Sequence, residues 1–160
     1  EVLPLTNYAL EKSIHIAFIE EMPLGQVNVG GKPLAYVSSD TLQKELAEHF
    51  TLVPMTASDT AGPARDFLIA GSQTQVGFIS PHSHNFCAQC NRLRISAEGR
   101  LLMCLGNDES IDLRGLLRTG STDEEIKTTI IENLNIKPER HVFDQPDEPQ
   151  IVRFMNATGG

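Results

Sequence analysis

Apolar positions at Leu5, Tyr8, Ala9 and Leu10 recur at helical spacing. After Glu11-Lys12-Ser13 the run Ile14-His15-Ile16-Ala17-Phe18-Ile19 turns strand-like. A helix feeding so directly into a strand is how an αβ unit ends, and the first residue is Glu1, not Met. The chain is therefore expected to be a C-terminal fragment or excised domain of a larger protein. Residues 22–38 contain Pro23, Gly25, Gly30, Gly31 and Pro33, a density of breakers that predicts a loop and a boundary. Asp40, three residues before Gln43, predicts a helix start, and Leu42, Leu46 and Phe50 share its apolar face. A second breaker-rich stretch, 54–63, precedes the β-type runs 67–69 and 76–79. Gly71-Ser72 lies between those runs, which predicts an antiparallel pair.

Residues 93–105 read as a hairpin. Arg92, Arg94 and Ser96 alternate with Leu93, Ile95 and Ala97, Glu98-Gly99 supplies the turn, and Leu101-Leu102-Met103 returns. Thr122 to Glu125 is a capping box ahead of Ile126, Ile130 and Leu134 on one helical face. Residues 137–149 read as an irregular connection, and the chain ends on Gly159-Gly160. The pattern is α+β, with an antiparallel sheet in the middle and flanking helices.

Composition narrows the function classes. At 160 residues the chain is one domain, or one domain plus a piece of another. No apolar run approaches the roughly 20 residues that a bilayer span needs, and no secretory leader pattern opens the sequence. A net charge of −8 argues against a nucleic-acid binder, so an anionic ligand would require a local basic pocket. Three cysteines cannot form a complete disulfide framework.

Those cysteines carry the chemistry. Cys87 and Cys90 form a C-x2-C pair on a turn before the hairpin, and Cys104 sits at the end of its returning strand. A hairpin brings its two ends together, so the three sulfurs are expected to converge on a soft site: zinc with a fourth ligand, or an iron–sulfur cluster. His82 or His84 would complete a Cys3His zinc site. On spacing alone zinc ranks slightly ahead, as the commoner occupant. Buried, inert thiols are the bland alternative, which the third cysteine weakens. Beside them Arg92 and Arg94, two residues apart, are expected on one strand face as guanidinium anchors for phosphates. Most such strand arginines merely face solvent; their position after a metal-binding pair favours the functional reading.

Gly77-Phe78-Ile79-Ser80-Pro81, then Phe86-Cys87-Ala88-Gln89-Cys90-Asn91-Arg92-Leu93-Arg94, Gly99-Arg100-Leu101 and Cys104-Leu105 resemble the C-terminal region of the MoaA family. These are the radical-SAM GTP 3′,8-cyclases of molybdenum cofactor biosynthesis. Phe18-Ile19-Glu20 with Met22-Pro23 resembles the family's last barrel strand, Ile111-Asp112-Leu113 the segment after its third cysteine, and Gly159-Gly160 its double-glycine tail. The resemblance spans nearly the whole chain and tips zinc versus cluster towards 4Fe-4S.

The resemblance implies a division into residues 1–25, the end of a truncated, incomplete TIM-type barrel, and 26–160, a molybdenum cofactor synthesis C-terminal domain. It implies a 4Fe-4S cluster on Cys87, Cys90 and Cys104, with one iron left to hold the guanine of GTP. Arg92 and Arg94 would contact the triphosphate, and Gly159 and Gly160 would enter the active site and support catalysis. S-adenosylmethionine and a second 4Fe-4S cluster would belong to the missing N-terminal barrel. The product would be (8S)-3′,8-cyclo-7,8-dihydroguanosine 5′-triphosphate, taken up by cyclic pyranopterin monophosphate synthase. The setting would be cytoplasmic, with no nucleic acid or membrane as partner and a homodimer left open.

The chain departs from the family pattern in places. The C-x3-C-x2-C motif that generates the radical is absent, so this chain alone would be inactive as a cyclase. Ala17 stands where the family usually has arginine, Gly106 where it usually has phenylalanine, and Glu21 at a usually apolar position. A divergent paralogue, or a structural module held together by zinc or a cluster, is the alternative.

Overall fold

The computed structural model of the chain describes residues 1–22, 28–29, 32–33, 36–56, 62–107, 109–135, 137–141, 143 and 155–158. In chain order the elements are α1 (Val2–Lys12), β1 (Ile16–Ile19), β2 (Asn28–Val29), β3 (Lys32–Pro33), α2 (Ser39–Ala47), β4 (Leu52–Pro54), β5 (Ala64–Ile69) and β6 (Gln75–Ile79). There follow β7 (Arg94–Ile95), β8 (Arg100–Leu102), β9 (Ser110–Asp112), α3 (Leu113–Arg118) and α4 (Asp123–Leu134), with short 3-10 turns at Cys87–Gln89 and Met155–Thr158. They belong to two compact units: Glu1–Met22 with Ala35–Phe86, and Pro23–Leu34 with Cys87–Gly160.

The first unit is built on a mixed sheet of order β1-β6-β5-β4. β1 runs parallel to β6 in the register Phe18↔Phe78, while β5 pairs antiparallel with both β6 and β4. The expected antiparallel pair is therefore present, but it sits inside a four-stranded sheet. The short β4 escapes notice in the sequence because Pro54 ends it; a strand with a proline is tolerated there because β4 is an edge. Val76, Phe78, Phe67, Ile69 and Leu46 form the buried core, with the Phe78 ring 6.2 Å from Phe18 and 5.8 Å edge-on to Phe67. Leu3, Leu10, Leu42 and Phe50 pack on it from α1, α2 and the turn after α2. At the end of α1, Ser13 takes a left-handed conformation (φ 52°), and Ile14 N–H returns to the Ala9 carbonyl.

α2 starts two residues earlier than expected. Ser38, not Asp40, is its N-cap, accepting the Thr41 N–H at 3.2 Å. Asp40 falls in the first helical turn, where other side chains engage its carboxylate.

The second unit holds an antiparallel sheet of order β7-β8-β9. The predicted hairpin is its first pair, in the register Arg94↔Leu102 and Ile95↔Leu101, turning through Gly99 at φ 77°. β9 adds a third strand that the short segment 110–112 did not announce. β8 is thus central, and Leu101, Leu102 and Met103 are all buried. Ile95 on the edge strand is 59% exposed, so the alternation read from the sequence does not sort into a buried apolar face. The capping box of α4 forms as predicted: Thr122 Oγ1 accepts the Glu125 N–H while Glu125 accepts the Thr122 N–H at 2.7 Å. α3 packs on β8 and α4 on α3. Within the stretch predicted as loop, β2 and β3 pair antiparallel, Val29 opposite Lys32. Among the described residues the strands close no barrel, and no helix is long and apolar enough to cross a membrane.

Candidate functional site

In the second unit Cys87 and Cys90 precede the hairpin and Cys104 follows its returning strand. Cys87 opens a 3-10 turn, and the Cys90 N–H closes it on the Cys87 carbonyl at 3.0 Å. Cys104 lies just past the end of β8, on the arm that pairs with β7. All three are half-buried and none is in a disulfide. Burial pushes the Cys104 thiol up, and the neighbouring Cys87 and Cys90 push it further; the Gly106 N–H and the Lys137 charge act the other way. The three sulfurs therefore share one electrostatic neighbourhood. Among the described residues no three His, Cys, Asp or Glu form a group that would hold a single metal ion.

Lys137, which the sequence reading passed over, reaches into this neighbourhood. Its Nζ donates to the Met103 carbonyl at 2.7 Å and the Arg92 carbonyl at 3.2 Å, and lies 4.0 Å from Cys90 Sγ. Gly106 is equally constrained. A Cβ there would stand 2.4 Å from His141 Cβ and 3.0 Å from the Phe143 ring, which itself lies 4.2 Å from the His141 ring. The space that a side chain at 106 would take is already occupied by those two.

The arginines divide. β7 begins at Arg94, so Arg92 precedes the strand, and their spacing alone does not set both on one strand face. Arg94 is half-buried opposite Leu102, and Arg92 is exposed. A third arginine, Arg100, stands two residues before Leu102 on β8 and so shares the Arg94 face. Its Nε donates to Ser110 Oγ at 2.9 Å and its Nη2 to the Ser110 carbonyl at 3.3 Å, tying β8 to β9. Gly159 and Gly160 lie outside the described residues.

The first unit gathers a different polar group, centred on Glu20, which is 3% exposed. Its carboxylate accepts N–H groups from Ser39 (2.8 Å), His82 (2.9 Å) and Ser83 (3.0 Å), and the Ser83 hydroxyl as well. Burial alone would raise its pKa; these donors overturn that and hold it at about 2. Beside it, burial and then the Glu20 charge push the Tyr36 hydroxyl up. His84 Nε2 bonds Asp40 Oδ1 at 2.7 Å, Arg65 Nη2 approaches the same oxygen at 3.4 Å, and the His84 bond is the main cause lowering the Asp40 pKa. His82 Nε2 meets the Glu21 carbonyl at 2.9 Å. Each histidine considered as a fourth zinc ligand thus has its Nε2 committed within the first unit. Glu20 was quoted in the sequence only as part of a family motif; a lone acid at the end of an apolar strand was the signal available.

Comparison with known proteins fits this arrangement. A family described as Molybdenum Cofactor Synthesis C matches residues 14–143. Proteins named GTP 3′,8-cyclase from Marinobacter nauticus and Saccharophagus degradans are each 48% identical over 161 residues, covering 100% of this chain and 48% of the relative. One of the same name from Pseudomonas putida is 49% identical over 162 residues, again with 48% of the relative covered. The chain spans about half the length of the curated relatives it matches. With the family match extending over most of its length, the chain belongs to the Molybdenum Cofactor Synthesis C family.

Proposed function

We propose that the chain is the C-terminal, substrate-binding part of a GTP 3′,8-cyclase, with Cys87, Cys90 and Cys104 as ligands of a 4Fe-4S cluster. The observation that supports this reading is the placing of the three cysteines about one hairpin, Cys87 and Cys90 before β7 and Cys104 after β8, with Cys104 feeling the charges of Cys87, Cys90 and Lys137. The donor set suits the group. All-thiolate ligation is the ordinary holding of such clusters, and two local influences, the Gly106 N–H and the Lys137 ammonium, favour the thiolate of Cys104 against its burial. The engagement of His82 Nε2 by the Glu21 carbonyl and of His84 Nε2 by Asp40 weighs against a Cys3His zinc site.

When bound, a cluster with three protein ligands supplies one iron open to a substrate heteroatom, a Lewis-acid anchor for a purine. The chain's own residues do the remaining binding. Arg94 is held half-buried on β7, and Arg92 lies exposed on the chain between Cys90 and the strand. Both offer charge-assisted hydrogen bonds to phosphate oxygens, so an acidic chain acquires a local site for a triphosphate. Residues 1–25 are read as the end of a partial barrel and 26–160 as the cluster and GTP domain. Gly159 and Gly160 would serve the reaction in the presence of the N-terminal barrel, which would bring S-adenosylmethionine and the second cluster. The pathway is cytoplasmic, and its next enzyme is cyclic pyranopterin monophosphate synthase.

Anaerobic reconstitution with ferrous iron and sulfide tests the reading. Four irons per chain and broad absorption near 400 nm are expected, lost on replacing any one of the three cysteines with serine. Colourless protein that takes up zinc stoichiometrically would overturn it.

A further inference from the structure

Lys137 stands just beyond α4, its N–H bonded back to the Leu134 carbonyl at 3.2 Å. An ammonium carries three protons and no acceptor. Here its neighbours are the Met103 carbonyl, the Arg92 carbonyl and Cys90 Sγ. The last ladder pair of the hairpin is Arg94↔Leu102. Arg92 and Met103 therefore lie just beyond the ladder, two residues out on one arm and one on the other. One cation bridges them, one residue before Cys104 and two residues after Cys90.

We propose that Lys137 is the positioning cation of the cysteine centre. It clasps the two arms of the hairpin so that the cysteines keep their spacing, and its charge and N–H beside Cys90 make the bound cluster easier to reduce. The second half of this inference rests on the cluster reading above. Reduction adds negative charge to a site already surrounded by thiolates. A cation hydrogen-bonded to a ligand sulfur favours the more negative state, and so raises the reduction potential. Arg100 is not equivalent, because its guanidinium is spent on Ser110.

The test compares the unsubstituted chain with Lys137→Met, which keeps the apolar stem, and Lys137→Arg, which keeps the charge. In metal-free protein, amide hydrogen exchange in β7 and β8 is expected to quicken roughly tenfold in Lys137→Met, the effect of about one charge-assisted hydrogen bond. Exchange in β5 and β6 should stay unchanged, and Lys137→Arg should restore most of the protection. After anaerobic loading with iron and sulfide, the Lys137→Met midpoint potential should move negative at equal iron content, and Lys137→Arg should recover it. A merely structural lysine would alter exchange and leave the potential alone, which would overturn the electrostatic role; unaltered exchange would overturn the clasp. An unsubstituted chain that takes up no iron would sink the cluster reading and the electrostatic role with it, leaving the exchange data to decide the clasp.

Discussion

The Glu20 carboxylate accepts the Ser39 N–H at 2.8 Å, joining the end of β1 to the first residue of α2 across nineteen positions of sequence. The same carboxylate holds the backbone of His82 and Ser83 after β6, so three separate segments of the first unit meet on one buried charge. With the backbone N–H groups of Ser39, His82 and Ser83 and the Ser83 hydroxyl as donors outweighing burial, the folded pKa lies at about 2 against an ordinary 4.5. A depressed carboxylate stabilises the fold above its unfolded pKa, and that stability drains away as pH falls from about 4.5 towards 2. The amount is on the order of 3 kcal/mol. Urea unfolding between pH 2 and 6 should show this loss, and Glu20→Gln should flatten the profile while lowering stability at neutral pH. An unchanged profile in the variant would remove Glu20 from its place as the hub.

Gly106 has no room for a side chain. With His141 Cβ 2.4 Å from the position of a Cβ, and Phe143 3.0 Å away, Gly106→Ala forces backbone or ring movement. A cost of about 1–3 kcal/mol in the second unit is expected, read by thermal unfolding. The Gly106 N–H also supports Cys104, so the variant should lose iron more readily after loading. If a partnering Phe143→Ala change rescues neither property, the Phe143 ring is not the obstruction, and the crowding lies with His141.

Much of this was legible in the sequence, and the misses have physical reasons. Thr122 to Glu125 and the hairpin around Gly99 are local devices, and local signals fixed them correctly. α2 was placed two residues late because Ser38 and Asp40 are both good caps, and only the tertiary partners His84 and Arg65 show which one is occupied elsewhere. β4 and β9 are three residues each, too short to carry a period of their own, and form by pairing with the edges that β5 and β8 offer. The cysteines were evident from spacing. Lys137 was not, because its partners are backbone carbonyls on distant strands, which no side-chain pattern announces.

The capping box of α4 gives a local control for these experiments. Thr122→Ala removes the acceptor of the Glu125 N–H and should cost about 1 kcal/mol. Glu125, whose pKa is lowered by the Thr122 N–H and then its hydroxyl, loses half its reciprocal pair. Circular dichroism during urea unfolding should register the change, with exchange in β5 and β6 unaffected. A loss of several kcal/mol would mean that α4 does more than its own cap implies.

The three arginines of the hairpin should separate ligand binding from folding. Arg92 precedes β7 and is exposed, and Arg94 is half-buried on β7. Replacing either with alanine should weaken GTP roughly ten- to a hundred-fold while guanosine changes little, since the lost contact is charge-assisted and directed at phosphate. Arg100 is different in kind. It closes β8 on β9 through Ser110, so Arg100→Ala should lower stability by about 1–3 kcal/mol and weaken nucleotide and nucleoside alike. Isothermal titration of the iron-loaded chain with both ligands, beside unfolding curves for each variant, distinguishes the two patterns. Were Arg92→Ala and Arg94→Ala to weaken GTP and guanosine equally, the arginines would be holding the hairpin rather than the triphosphate, and the phosphate site would have to be sought elsewhere.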